Sequence, residues 1–577
     1  MFTSRFYLFC LVTILYICLR VGNSNIKKCV ETEKNDLLKF KAKLIDKNDL
    51  LSSWKGQEDC CIWKGVTCNN STGHVTMLKL QPPYINLDII PQLGGNIDSS
   101  LCQLHHLISL DLSFNHLGGK IPQCIGSLVQ LTYLNLESNA LVGAIPHSLG
   151  NLSNLQSLDL GNNEFLFAND LEWVSTLSNL TYLDLSYNNL SQVVDTLSPL
   201  TKLPFLRSVI LDFCILHQFN LKSIPLINSS NYVLALSLEG NYLSSISWVF
   251  NFSKVIAYLD LSSNSLQQNI PDGFENMTSL KWLLLSNNKL QGSIPKSFPS
   301  LCQLEILDLS SNKLFGQFSD YMQHLCSRGN VIKDLILSDN QLNGTLPYNI
   351  GQLSNLETLS IHSNNFSSII NESHFSNLSN LRYLYVDQNP LSFNLSSNWI
   401  PPFQLIDLSA SSCNLGPNFP LWLKHQEKLE LLEISNNDIS DYFPEWFWNL
   451  TPGLAYLNVS HNKLSGALPK SISILSVEAG LSEVEWDFSF NSFSGPLPNF
   501  PPQLTVLSVS NNMFSGSISS FCGTSYQNLA YLDMSSNSLL GRLLDCWGQF
   551  QKLQVLNLAT NNFFGRIPDS FRTLQSI

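Results

Sequence analysis

The chain has 577 residues, a formal net charge of −12 and only 13% charged residues. No basic run suggests nucleic acid as a partner. Kinase signatures (GxGxxGxV, HRD, DFG), a P-loop, HExxH and GxSxG are missing, so motifs and composition point to a non-enzymatic, extracellular binding protein with no cofactor.

At the N-terminus, Arg5 precedes fourteen uncharged, mostly apolar residues, Phe6 to Leu19, and small or polar residues follow. This is the pattern of a secretory signal peptide, residues 1–24, cleaved near Ser24. The run is short for a membrane span of about 20 residues, so no span is expected after cleavage. Export places the remaining cysteines where disulfides persist.

Residues 25–72 form the next segment. Leu37, Leu38, Phe40, Lys41 and Leu44 have the spacing of one amphipathic helix. Trp54 and Trp63 follow, with Cys29 upstream and the pattern CCxWxGVxC over Cys60, Cys61, Trp63, Gly65 and Cys68. The segment resembles the N-terminal cap of plant extracellular leucine-rich repeat proteins. That resemblance implies the pairs Cys29–Cys60 and Cys61–Cys68. A cap of this kind covers the first coil, which would otherwise expose its apolar core.

From residue 73 to 577 one phrase recurs, LxxLxLxxN. "LTYLNLESN" from Leu131 and "LTYLDLSYN" from Leu180 are two copies. Its final residue marks the chain nineteen times from Asn115 to Asn561, mostly 23 to 25 residues apart, with Cys214 and Cys413 replacing Asn. The first apolar site fails once, at Glu483. About 20 leucine-rich repeats are expected, the last incomplete, in an α/β repeat solenoid. The xLxLx segment alternates, so it is a short strand with leucines on one face. A single coil cannot bury those leucines; stacking coils does, and the strands form a parallel sheet lining a concave face. The Asn sits where the chain leaves the strand and can both donate to and accept from turn backbone. Cys214 and Cys413 read as structural thiols. Many coils continue as LxGxIP ("KLQGSIP", "KLSGALP"), which resembles the plant-specific class of repeat.

Cys302 and Cys326, Cys522 and Cys546, and Cys102 and Cys124 occupy equivalent sites on adjacent coils. They are candidate disulfides against the alternative of buried free thiols. Sequons are abundant: Asn151, Asn179, Asn189, Asn251, Asn276, Asn343, Asn365, Asn377, Asn394 and Asn449 are the glycosylation candidates, beside Asn69, Asn70, Asn228, Asn371 and Asn458. The adjacent pair His105–His106 reads as solvated rather than metal-bound, and no metal site is expected. After Asn561 the next mark would fall beyond Ile577 with nothing to cap the array, which suggests a truncated gene model, a fragment or an alternatively ended form.

Exposed strand sites lie six, four and two residues before each mark. Aromatics recur six before (Tyr133, Tyr182, Tyr258, Trp282, Tyr383, Tyr456, Tyr531), where interface hot spots favour them although strands do too. Two before, serine dominates, and Glu137, Asp212, Glu239, His362 and Asp387 depart from it. The best local cluster joins two coils, His362 with Tyr383, Tyr385 and Asp387; with Trp282 and Tyr258 these are the candidate ligand-binding residues. The recurring carboxylates Asp111, Asp159, Asp184, Asp260, Asp308 and Asp533 read as a periodic column facing out of the sheet. They do not read as a hydrolytic pair.

Three longer phrases are more specific: "NDLEWVSTLSNLTYLDLSYNNLS", "IPDGFENMTSLKWLLLSNNKLQGSIP" and, above all, "IPPFQLIDLSASSCNLGPNFPLWLKHQEKLELLEISNNDISDYFPEWFWNL". They resemble plant receptor-like proteins of the group that includes receptors for a fungal ethylene-inducing xylanase. The resemblance implies a cell-surface ectodomain that binds a microbial or endogenous ligand (protein, peptide or glycan) and acts in defence through co-receptor kinases. It places the protein in the secretory pathway, at the plasma membrane if full length and otherwise in the apoplast. A secreted inhibitor of a cell-wall hydrolase and a truncated, non-signalling decoy are the alternatives.

Overall fold

Each LxL segment folds as a three-residue strand whose central residue points inward. In Ser109–Asp111, Leu110 is fully buried between two outward neighbours. The structure is a computed structural model that describes residues 27–82, 91–217, 233–253, 255–296, 298, 301–319, 331–449, 453–473 and 483–574. The signal-peptide assignment lies outside those residues. The chain divides into two compact units, Met1–Ile256 and Ala257–Ile577.

In the first unit, Val66–Cys68 and Val75–Lys79 form an antiparallel hairpin. Ser109–Asp111, Tyr133–Asn135, Ser157–Asp159, Tyr182–Asp184, Ser208–Ile210 and Ala235–Ser237 then add in parallel. The register sets leucine on leucine: Leu110 faces Leu134, and Leu134 faces Leu158. In the second unit the parallel ladder runs from Tyr258–Asp260 through Trp282–Leu284, Ile306–Asp308, Asp334–Ile336, Thr358–Ser360, Tyr383–Tyr385, Asp407–Ser409 and Leu431–Glu433. It continues to Val555–Asn557. Where the apolar frame fails at Glu483, that residue is exposed and Val484 takes its place in the core at 2% exposure.

Asparagine amides tie the coils together. Asn312 Nδ2 donates to the carbonyls of Leu285 (2.9 Å), Leu309 (3.1 Å) and Ser310 (3.0 Å). Its Oδ1 accepts from the Leu290 N–H at 3.0 Å. Leu285 and Leu290 belong to the preceding coil, so one side chain satisfies backbone groups on both sides of the stack. Cys413 supplies only the donor half, its thiol reaching Val386 O at 3.2 Å and Ser411 O at 3.3 Å. The acceptor half passes to backbone, since Leu391 N–H donates to Asn389 O instead. Cys214 likewise donates to Leu185 O at 3.1 Å. Burial pushes both thiols up, Cys413 to about 12, which suits an inert donor. The residue before the marks turns left-handed, with φ 56° at Phe114 and 52° at Ser311, and carries the chain out of the strand.

The LxGxIP segment makes a second parallel ladder, seen in Gln291–Gly292 against Lys313–Gln317 and in Ser465–Ala467, Ser492–Gly495, Met513–Gly516, Ser538–Gly541 and Asn562–Phe563. Its glycine is needed for a left-handed turn, φ 99° at Gly316 and 104° at Gly541, which L side chains resist. The proline then opens a 3₁₀ turn such as Gln123–Ser127 or Tyr348–Gln352; the return segments are mainly 3₁₀. Between Phe419 and Phe493 the core is aromatic, with Phe443 5.1 Å from Phe447 and 5.3 Å from Trp448 by ring centroids.

In the cap, helix Glu31–Lys41 buries Leu37 and Phe40. It is shorter than the sequence spacing suggests. The helix closes with Ala42 N–H on Leu38 O and Lys43 N–H on Phe40 O, and Leu44 lies beyond it in strand Leu44–Ile45, which pairs antiparallel with Gly94–Asn96. Trp54 and Trp63 stack at 5.3 Å. Cys29 is bonded to Cys60, Cys61 to Cys68, Cys102 to Cys124 and Cys522 to Cys546. Cys302 is also disulfide-bonded, and Cys326 lies outside the described residues.

Candidate functional site

Strand alternation decides what the second unit presents. In Tyr383–Tyr385, Leu384 is 1% exposed in the core, and both tyrosines stand half-buried on the outward face. Register places Tyr383 beside Thr358 and Asp407, and Tyr385 beside Ser360 and Ser409. His362 and Asp387 follow these strands on neighbouring coils, both half-buried. His362 Nδ1 lies 3.1 Å from Ser363 Oγ, which donates to Gln388 Oε1 at 3.1 Å. Asp387 meets the same coil through its carbonyl, which accepts the Ser363 N–H at 3.0 Å.

The side-chain contacts of Tyr385 run the other way. Its hydroxyl donates to Asp407 Oδ2 at 2.6 Å. Burial pushes the Asp407 carboxyl up, and the tyrosine bond pulls it partly back. Burial followed by the Asp407 bond raises the phenol. Sequence reasoning missed Asp407; its one signal is that it stands six before Cys413, where other coils carry an aromatic. The polar network recurs on the next coils. Ser411 Oγ donates to Glu433 at 2.6 Å, and the Tyr456 hydroxyl donates to Glu433 at 3.1 Å. Asn458, on the same face, uses Oδ1 to accept the Ser460 N–H at 3.0 Å.

Trp282 and Tyr258 sit on adjacent strands with ring centroids 5.6 Å apart, tilted by 48°. The Tyr258 hydroxyl donates to Asp260 at 3.2 Å. They form a pair separate in sequence from the His362–Asp387 group.

The carboxylate column needs correction. The column faces outward as expected, but Asp111, Asp159 and Asp260 are only 5%, 8% and 6% exposed, and Asp184, Asp308 and Asp533 are half-buried. Each of the first three folds back to accept the N–H two residues on, from Ser113, Gly161 and Ser262. In the first unit the column is crowded. Burial, then Asp184 and Asp111, push Glu137 up to about 7. Burial and the charges of Asp184 and Glu137 also raise Asp159.

Of the sequons, Asn151, Asn189, Asn276, Asn365, Asn377 and Asn394 are exposed, and Asn179 and Asn343 half-buried. Asn179 already spends Nδ2 on Ser153 O at 2.9 Å. Asn228 and the side chains of Asn251 and Asn449 lie outside the description. No helix among the described residues is long and apolar enough to cross a membrane.

Residues 30–69 match the family described as the leucine rich repeat N-terminal domain. Leucine rich repeat families match residues 153–207, 254–314 and 331–391, and further single repeats from 106–128 to 552–574. Receptor-like protein EIX2 of Solanum lycopersicum is 35% identical over 90% of this chain and 60% of its own length. Receptor-like protein EIX1 of the same species is 35% identical over 83% and 56%. The chain thus spans somewhat over half the length of these relatives. Among solved structures, the Arabidopsis receptor kinase HAESA in complex with the peptide hormone IDA and the co-receptor SERK1 is similar at 28% identity and TM-score 0.61, over 95% of this chain and 89% of that one. The PEPR1–AtPEP1 structure is similar at 25% identity and TM-score 0.59, over 95% and 84%. The repeats, the cap and these likenesses together place the chain in the plant leucine-rich repeat receptor-like proteins related to EIX1 and EIX2.

Proposed function

We propose that this chain is the ligand-binding ectodomain of a plant cell-surface receptor-like protein. Its binding face is the outward side of the second unit's sheet around His362, Tyr383, Tyr385 and Asp387, extended by Asp407. One observation carries this most: half-buried tyrosines and carboxylates stand in register on consecutive strands, held by the 2.6 Å Tyr385–Asp407 bond. Rigid aromatics beside oriented polar groups suit recognition of a peptide, protein or glycan. The likeness to HAESA, whose structure holds a peptide hormone and a co-receptor, supports a similar ligand class and a co-receptor kinase as partner. The relatives' description as receptor-like proteins supports a receptor role at the cell surface, and defence signalling is the role we propose for it.

The role is binding without catalysis. What supports this is the likeness to receptor-like proteins and the use of the column carboxylates in turn hydrogen bonds, Asp111, Asp159 and Asp260 each accepting the N–H two residues on. On this reading residues 1–24 are the leader, 25–72 the cap and 73–577 the repeats.

The test measures binding of labelled fungal ethylene-inducing xylanase, and of a peptide-hormone panel including IDA, to the secreted chain and to Tyr383→Ala/Asp387→Ala. Loss of a wild-type interaction in the double variant supports the reading. Binding that the substitutions leave intact removes this face from it, and failure of every probe removes its support for these ligands.

A further inference from the structure

Glu33, on the cap helix, is 5% exposed. Its carboxylate accepts from the Val75 N–H at 2.7 Å and meets His74 Nδ1 at 2.8 Å. Among the described residues no lysine or arginine forms an ion pair with it. A buried carboxylate needs a compensating positive partner, and the groups around this one are imidazoles. His106, exposed at the edge of the first full coil, lays its ring 3.8 Å from that of His74. Each of the three residues offers one ligand atom, and these atoms lie within 4.8 Å of one another.

We propose that Glu33, His74 and His106 bind one divalent transition metal of the zinc class, joining the cap helix, the hairpin and the first coil. Two imidazoles and one carboxylate match the borderline character of that ion and leave a fourth position for water. Tetrahedral zinc with bonds near 2.0–2.1 Å sets ligand atoms about 3.3 Å apart. The Glu33–His74 contact of 2.8 Å is shorter than that edge, so the ion takes the place of this hydrogen bond and the pair opens by about 0.5 Å. Glu33 stays oriented by the Val75 N–H, and His106, whose side chain is in solvent, adjusts to complete the set. His105 is exposed beside His106 but is outside the group, so the adjacent pair in the sequence contributes one ligand and not two.

The experiment titrates zinc chloride at neutral pH into the purified, tag-free secreted chain, reading bound zinc by equilibrium dialysis and the unfolding temperature. Wild type is expected to bind one equivalent at this site and to melt higher with zinc. His106→Ala, an exposed position that should fold normally, is expected to match wild type without zinc and to lose more than about 10-fold in affinity. His105→Ala is expected to bind as wild type. Wild type without zinc uptake, His106→Ala with wild-type affinity, or an equal loss in His105→Ala would each overturn the site.

Discussion

The hydroxyl of Tyr385 donates to Oδ2 of Asp407, one coil further along the stack, at 2.6 Å. Both groups are half-buried, so the bond is partly screened. Tyr385→Phe should cost about 1 kcal/mol in denaturant unfolding. It should also raise the Asp407 carboxyl further, since the lost bond is what opposes burial. An unchanged Asp407 titration in the Phe variant would show that the bond is absent in solution.

The ladder orders a series at one position. Asn312→Leu removes a donor that serves three carbonyls and the acceptor for Leu290 N–H, and should cost about 1–3 kcal/mol. Asn312→Cys keeps a donor, as Cys413 does, and should cost less. Equal melting of the two variants would contradict the division of labour between amide and thiol.

These ladder residues and the strands were legible because their period is set by backbone geometry. The leucines repeat wherever a coil must bury one face, and Asn repeats wherever a turn needs a donor and an acceptor together. The second ladder through LxGxIP was not legible, because its glycine and proline read as turn signals and it lacks the alternating leucines of the first. Asp407 was missed for a related reason: its importance comes from Tyr385 on the preceding coil, not from its own phrase. The carboxylates were read as exposed because alternation gives a side chain's direction, whereas burial depends on Asp111 and Asp159 folding back onto the turn.

Glu137 gives a pH dependence with a definite sign. Its ordinary value of 4.5 is raised to about 7 in the fold, chiefly by burial and then by Asp184 and Asp111. Between these values the folded chain holds a proton that the unfolded chain has released. Stability from this group is therefore fully present below about pH 4.5 and declines as pH rises through 7. Asp159 and Asp184, also raised, act in the same direction. Glu137→Gln should leave stability near pH 4 unchanged, raise it above pH 7 and flatten the slope between. Parallel wild-type and variant curves of unfolding temperature against pH would sink this.

The Cys102–Cys124 bond joins adjacent coils with Cα atoms 5.8 Å apart and closes a loop of sequence separation 22. Replacing both by Ala should cost about 3 kcal/mol through the freed unfolded chain. Peptide mapping without reduction should recover the two cysteines in one linked fragment. Free thiols at both positions would refute the pairing.

Hydrogen–deuterium exchange on the secreted chain tests the stacked, asparagine-tied coils most directly. Slow exchange should recur in step with the strands, at segments such as 306–309, 334–337 and 358–361, with faster exchange in the exposed turns between. Protection in long helical runs, or protection with no recurrence along the chain, would contradict it.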